Sequence, residues 1–401
     1  MTLSLPSCPM FVDKAASEEA VCLSLPDFPD IEIQLISDAD AIRNRFDVKL
    51  DASRWLSPSW MAFQASELKD NPTYLVLITD EHGNEHRLCA QTFTFQVGNN
   101  IHQADQNFNW RRWIASPFKF KVLVLGQMLT SGPYASSLDP HEIDGRWAKL
   151  LDQLSVQLAN HLSCSATMLK DLVEANSESA VYWQDQQYYR LPVDPVMQLP
   201  IRQSWASFDD YLLDLTSKYR VRYRRARKQA DGINKRRIPP AKVSELQPEM
   251  DELFQSVRIT ADYDPIDPPP GYFTALQEAW RAHCQIDGYY LDGELVGFTT
   301  ALFDGGSMHA HYLGFDQEVN RSHHLYHNML FDLIETAIEE RADLLNFSRT
   351  ALEIKSSVGA EPQEYAVMLR SNSRFGNWLI RSFTPRLFQA QEWQRRNPFK
   401  S

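Results

Sequence analysis

No stretch of this chain approaches about 18 uninterrupted apolar residues, so no membrane-spanning helix is expected. The opening, MTLSLPSCPMFVDKAASEEAV, has neither a basic start nor a long apolar run, and a secretory signal is not expected either. The five cysteines (Cys8, Cys22, Cys89, Cys164, Cys284) are scattered, with no CxxC and no paired spacing. That argues against a disulfide framework and for reduced thiols in a cytoplasm. Positive charge is also in deficit: 40 Lys and Arg stand against 52 Asp and Glu, a formal net charge of −12. A general nucleic-acid binder would normally be basic. HExxH is lacking as well. His323 and His327 have the i,i+4 spacing of metal ligands, but residue 324 is His where the motif has Glu. No metal is expected, and the expected location is the cytoplasm.

With 401 residues, 43% of them apolar and 23% charged, the composition is that of a globular enzyme with two domains. The first 50 residues are poorly periodic and are broken by Pro6, Pro9, Pro26 and Pro29. Beyond them, TYLVLITD (73–80) and RLCAQTFTFQV (87–97) flank HGN at 82–84 and read as a hairpin. KVLVLGQML reads as a further strand ended by SGPY. A helical pattern follows over 143–162, with Trp147, Leu150, Leu151, Leu154, Val156, Leu158 and Leu162 apolar, and 166–172 reads as a return strand. The second half has the same order. Helices over 251–258 and 272–283, separated by DPIDPPPG, precede a hairpin whose Asp292-Gly293 turn lies between GYYL and LVGFTTALF. SMHAHYLGF reads as a strand, 326–341 as a helix and 344–347 as a short strand. Hairpin, strand, helix, strand thus occurs twice, by internal duplication or by convergence of two α+β layers.

Between the halves, Ser207 with Asp209 and Asp210 is a helix-start pattern. Then comes KYRVRYRRARKQADGINKRR, where ten of the twenty residues from 218 to 237 are Lys or Arg and one, Asp231, is acidic. Such a local field would attract phosphates of a carrier, a nucleotide or a tRNA acceptor end. A solvated helix face paired with acids of the two domains is the alternative. Tyr219 and Tyr223 share a face and would dock the helix to a core. Phe108, Trp110 and Trp113, beside Arg111 and Arg112, form an aromatic cluster that reads as a core edge or as a stacking surface.

Three stretches carry a resemblance: SFDDYLLDLTSKYRVRYRRARK, LDGELVGFTTALF with HAHYLGFD, and LLNFSRTALEIKSSVGAEP. Over about 204–369 the chain resembles bacterial proteins of the GNAT superfamily. Within it, the likeness is to the tandem-GNAT branch of FemAB-like peptidoglycan aminoacyltransferases and uncharacterised acetyltransferases. The first half matches only in order of elements. The resemblance implies an α+β fold of two tandem GNAT-like domains, each a mixed sheet flanked by helices. The expected boundaries are 1–190 and 191–401, the second including the basic helical segment 208–237. It implies an N-acyl- or aminoacyltransferase moving an acyl group to a small-molecule or peptide amine. The candidate donors are acyl-CoA, acyl carrier protein and aminoacyl-tRNA. A non-catalytic module binding RNA or an acidic partner through the basic helix is the alternative, and a lipid or long-chain N-acyltransferase a third reading.

By position, the family's central strand is 309–316 and the helix that receives a donor's pyrophosphate begins near 322–325. Many members carry a glycine-rich loop before that helix. Here the loop is QEVNRSHH, without glycine, which sets this chain apart from ordinary acetyl-CoA enzymes. Arg321 is a candidate anion ligand there. Arg349 and Lys355 lie in a loop after a strand, where binding residues collect, and Ser356, Ser357 and Gly359 add donors beside the lysine. A salt bridge from Lys355 to Glu353 or Glu361 is the structural alternative. Asn346 and Ser348 alternate on the preceding strand and line the same cleft or cap its end. Aminolysis needs a neutral amine and a proton returned to the leaving group. His311 and Glu353 are the candidate bases. Tyr326 is the candidate acid, by analogy with a tyrosine that many members place on this helix. His309 alternates with His311 and faces the same side. Arg222, Arg224, Arg225 and Arg227 are the candidate carrier- or phosphate-binding residues.

Overall fold

The two turn signals work as their residues demand. The computed structural model describes residues 20–44, 53–96, 119–138, 145–173, 177–259, 268–387 and 392–400. In the first turn, the Asp80 carboxylate accepts from the backbone of His82 at 2.9 Å and of Asn84 at 2.8 Å. In the second, Asp292 and Gly293 both have positive φ, 52° and 91°, as a type I′ hairpin turn requires.

The first half builds β1 (Ala20–Leu25), β2 (Phe28–Ile36), α1 (Ala39–Arg43), α2 (Pro58–Glu67), β3 (Thr73–Thr79), β4 (Glu85–Gln96) and β5 (Lys119–Leu125). It continues with α3 (Gly145–His161), β6 (Ala166–Leu172), α4 (Ser177–Asp185) and β7 (Tyr189–Arg190). A 3₁₀ turn, Arg54–Leu56, precedes α2. The second half builds β8 (Val196–Pro200), α5 (Phe208–Asp214), α6 (Ser217–Gln229), β9 (Asn234–Arg237), α7 (Pro240–Arg258), α8 (Tyr272–Trp280), β10 (Cys284–Leu291), β11 (Glu294–Asp304) and β12 (Ser307–Phe315). After these come α9 (Gln317–His323), α10 (Leu325–Glu339), β13 (Leu344–Asn346), α11 (Leu352–Ser357), β14 (Glu361–Gln363), β15 (Ala366–Ser371) and α12 (Arg374–Leu387).

The strands form two mixed sheets. The first runs β1-β2-β3-β4-β5-β6-β15-β7 and the second β14-β8-β13-β12-β11-β10-β9. Each has one parallel pair, β5 with β6 and β12 with β13; the other pairings are antiparallel. Beside each parallel pair lies a strand distant from it in sequence. β15, near the end of the chain, enters the first sheet between β6 and β7, and β8 enters the second between β13 and β14. Strands β15 and β8 thus hold equivalent places in the two sheets, and β15 returns from the second half to complete the first. Residues 366–371, C-terminal to the expected boundary at 190/191, pair with the first sheet.

The first 50 residues, read as irregular, contain the β1–β2 hairpin. Pro26 sits in its turn, and Pro29 lies where β2 makes no ladder bond, so neither proline interrupts the pairing. Helix α7 starts eleven residues before the pattern over 251–258 and carries Pro248 inside it. Val156, placed on the apolar stripe of α3, faces solvent. The aromatic cluster over 108–113 lies outside the described residues. Helix α3 buries Ala148, Leu151, Leu154 and Leu158 in the core of the first sheet, and α10 buries Leu330, Leu333, Ile334 and Ala337 in that of the second. A third core is shared: Trp55, Trp60, Phe63 and Leu129 from the first half pack with Phe254, Tyr272, Trp280 and Phe298 from the second. No described helix is long and apolar enough to cross a membrane.

Candidate active site

Strand β12 loses its regular partners on both sides at one place. Its parallel pairing with β13 runs from Ser307↔Leu344 to His309↔Asn346 and stops there, while β12 continues to Phe315. On the opposite edge, the register with β11 shifts between Thr299↔Leu313 and Ala301↔Ala310. The extra residue is accommodated at Thr300, whose Oγ1 accepts from Tyr312 N at 2.8 Å and donates to Tyr312 O at 2.7 Å. Bulges of this kind re-aim side chains. Met308 and Ala310 face the α10 core, whereas His309, His311 and Tyr312 turn toward Trp55, α7 and α8.

His309 packs edge-on against Tyr134 and Trp55, with centroids at 4.7 and 5.2 Å. His311 meets Tyr272, Nε2 to Oη, at 2.6 Å. Burial pushes both imidazoles down to about 3, and for His311 the neighbouring His309 adds to it. They are therefore neutral at ordinary pH. Three ring nitrogens of this cluster, His309 Nε2, Trp55 Nε1 and Trp280 Nε1, are buried without a hydrogen-bond partner among the described residues. Buried polar atoms are normally paired, so the cluster is polar ground inside an apolar interface.

The tryptophans are fixed from below. Asp304, at the end of β11, accepts from Arg54 N at 2.8 Å and from the Ser53 hydroxyl, which pins the turn carrying Trp55. Gln127 accepts from Trp60 Nε1 and from Gln64 Nε2, each at 3.1 Å, and donates to the Trp55 carbonyl. Gln91 extends this relay to Gln64 at 3.2 Å and Thr73 at 2.8 Å.

A second polar cluster lies at the exit of β13. Asn346 is buried; its Nδ2 donates to Ser131 O at 3.0 Å, and its Oδ1 accepts from Ser348 N at 2.8 Å. Ser348 and Ser131 join through their hydroxyls at 3.0 Å. Arg349 crosses between the halves, pairing with Asp171 and donating to Asp194 O. Asp171 also takes Lys170 at 2.5 Å and Gly132 N at 2.9 Å. Burial works against its charge, but Lys170 and Arg349 hold the carboxyl below its ordinary value. Ser348, Thr350 and Ala351 have φ of 61°, 68° and 47°. Left-handed backbone at three non-glycine residues within one short loop is costly and typical of functional sites. Lys355, in α11, is buried and donates to Arg349 O. Burial pushes its ammonium down to about 7, only partly offset by Asp194.

Several expected partners do not meet. Glu353 pairs with Arg396, and Glu361 pairs with Arg395 at 3.4 Å, so neither holds Lys355. Tyr326 packs on Phe315 in the α10 layer, on the other face of the sheet from His311. Arg321 is exposed and reaches Glu318 at 3.5 Å. Where a glycine-rich loop was lacking, the chain forms α9, and Asn320 Oδ1 accepts from Tyr326 N at 2.9 Å. Arg227 is a structural cation, held by Asp332 at 2.5 Å and Asn328 at 3.2 Å. Arg222, Arg224 and Arg225 are exposed. His323 bonds Ser322 at 2.8 Å, and His327 stacks on Phe331. Among the described residues no three His, Cys, Asp or Glu converge as metal ligands would. Trp55, Trp60, Tyr134, Asp171 and Tyr272 were not singled out in the sequence. A signal lay in Gln64, Gln91 and Gln127, amides set within apolar runs.

Residues 217–356 match the family described as acetyltransferase (GNAT) domain. The chain carries an acyltransferase domain of the GNAT superfamily. No curated protein matches the sequence. Among solved structures, FemX superposes with a TM-score of 0.53 at 10% identity, covering 85% of this chain and 97% of that one. This likeness shows a shared fold and extends to both halves. A tandem GNAT protein from the clavulanic acid biosynthesis pathway, solved without acetyl-CoA, aligns with a TM-score of 0.45 at 11% identity over 79% of this chain and 88% of its own. The C-terminal domain of a putative lysylphosphatidylglycerol synthetase from Agrobacterium fabrum gives 0.44 at 10% identity over 80% and 90%. The divergence of β12 and β13 lies inside the matched GNAT domain, as do His311, Asn346, Arg349 and Lys355.

Proposed function

We propose that the protein transfers an acyl or aminoacyl group from an activated carrier to an amine where β12 and β13 diverge. The observation that carries this reading is that divergence, opposite the Thr300 bulge. Parting strands leave backbone groups free to grip a donor arm. The GNAT match over 217–356 supports the class of reaction. The carrier is acyl-CoA, an acyl carrier protein or an aminoacyl-tRNA.

With a thioester donor, the amine nitrogen adds to the carbonyl carbon, the C–S bond breaks, and the amine proton ends on the departing sulfur. His311, held by Tyr272, orients the entering amine. Its depressed basicity suits a neutral hydrogen-bonding partner better than a strong base. Lys355 is cationic below about pH 7 and becomes the charge set against the developing oxyanion. Arg349, Asn346 and Ser348 fix the loop that presents it. Most of the rate gain comes from positioning and these donors.

The test is mass-spectrometric detection of acylated amine after incubation with each of the three donors and a panel of amines. At least one donor should give product, and His311→Ala and Lys355→Met should each lower kcat by about 10²-fold, the range of one lost charge or donor. Variants as active as the parent, or no product from any donor, would remove the reading. In the latter case the exposed cations of α6 would leave a binding role standing alone.

A further inference from the structure

Seven of the ten cations between Lys218 and Arg237 make no ion pair among the described residues. Arg220 is used on the carbonyls of Leu213 and Leu215, Arg227 on Asp332, and Lys235 and Arg237 on Asp287. Lys218, Arg222, Arg224, Arg225 and Lys228 remain on α6 and face solvent. The arrangement is that of one helix face. Val221 is 59% exposed, with Lys218 three residues before it and Arg224, Arg225 and Lys228 three, four and seven after it. Leu213, 63% exposed, lies close by, since Arg220 on α6 donates to its carbonyl. The buried side of α6 explains why this face stays outward: Tyr219 and Ala226 go into the core, and Asn328 of α10 donates to Ala226 O at 3.1 Å. Helix α6 therefore lies along α10, which follows β12 after one short helix.

We propose that this face docks an acidic carrier protein that delivers the acyl group as a thioester, with Val221 and Leu213 meeting aliphatic side chains of the carrier. The inference rests on the transferase reading and selects among its donors. A cationic stripe with aliphatic centres fits a protein helix bearing acids and aliphatics. RNA would use exposed aromatic rings for base stacking, but Tyr219 is buried and Tyr223 packs on Phe331 and Phe208. A 13-residue helix spans about 20 Å, the footprint of one partner helix. A long polyanion or a charged bilayer would extend beyond it over a chain whose net charge is −12. The glycine-free turn agrees with a donor recognised outside the nucleotide site, since the Tyr326 amide is already bonded to Asn320.

The experiment compares one acyl group presented on acyl carrier protein, on a short pantetheine thioester and on tRNA. Kinetics are measured for the full chain and for the triple variant Arg224→Glu, Arg225→Glu, Lys228→Glu. The expected result is a KM for the carrier-bound thioester raised at least tenfold more than that for the pantetheine thioester, with steep salt dependence in the parent. Val221→Asp should act in the same direction. Equal losses on both thioesters, or a loss confined to the tRNA donor, would overturn the proposal. Binding of unacylated carrier protein, followed by fluorescence anisotropy, separates the two levels. Binding without turnover sinks the transferase reading and leaves the docking surface, whereas turnover of pantetheine thioester without carrier binding does the reverse.

Discussion

Lys355 is where a single residue carries most of the consequence. Its ammonium is buried against the Arg349 carbonyl, and burial brings it to about 7 from an ordinary 10.5. Below pH 7 the folded and unfolded chains both hold the proton, and the folded one bears the full cost of a buried cation. Between about 7 and 10.5 the unfolded chain binds a proton that the folded chain has released, so stability rises with pH through this window. The stability advantage of Lys355→Met over the parent should be largest below pH 7 and should shrink as pH approaches 10. Urea unfolding at several pH values reads this directly; a pH-independent difference would mean that the lysine is not buried as a charge. The sequence marked Lys355 through its loop and its serines. It could not show that Glu353 and Glu361 are taken by Arg396 and Arg395, because both arginines come from the terminal segment.

At the scale of elements, the hairpins were the legible part. Asp-Gly at 292–293 and His-Gly-Asn at 82–84 dictate their turns by local chemistry alone, and Ser307–Phe315 appears as a strand with the limits its alternation suggests. The bulge was hidden, because Thr300 and Tyr312 are brought opposite each other only by pairing. Thr300 satisfies both backbone groups of Tyr312 from a buried position. Thr300→Val keeps the shape and removes both bonds to the Tyr312 backbone. The expected loss is about 2 kcal/mol of stability, together with reduced turnover as His311 loses its aim. Denaturant midpoints and kcat for this variant test the point. A neutral substitution would show that the bulge does not depend on the hydroxyl.

For the whole molecule, the return of β15 to the first sheet makes two similar halves into one unit. Local pattern predicts strands but not which sheet they join, and β15 crosses back after the second sheet is complete. The shared core around Trp55 and Trp280, and the Arg349–Asp171 pair, tie the same boundary. Neither half should fold alone. A chain ending before Tyr365 loses the strand between β6 and β7 and should melt in its first half as well as its second. Circular dichroism of the truncated chain checks this; a native-like transition in the remainder would argue for independent domains. The proposed transfer depends on donor binding where β12 leaves β13. Hydrogen exchange followed by mass spectrometry, with and without a saturating thioester donor, measures that most directly. Added protection should concentrate in 309–315 and 346–357, whereas protection confined elsewhere, or none under saturating donor, would contradict it.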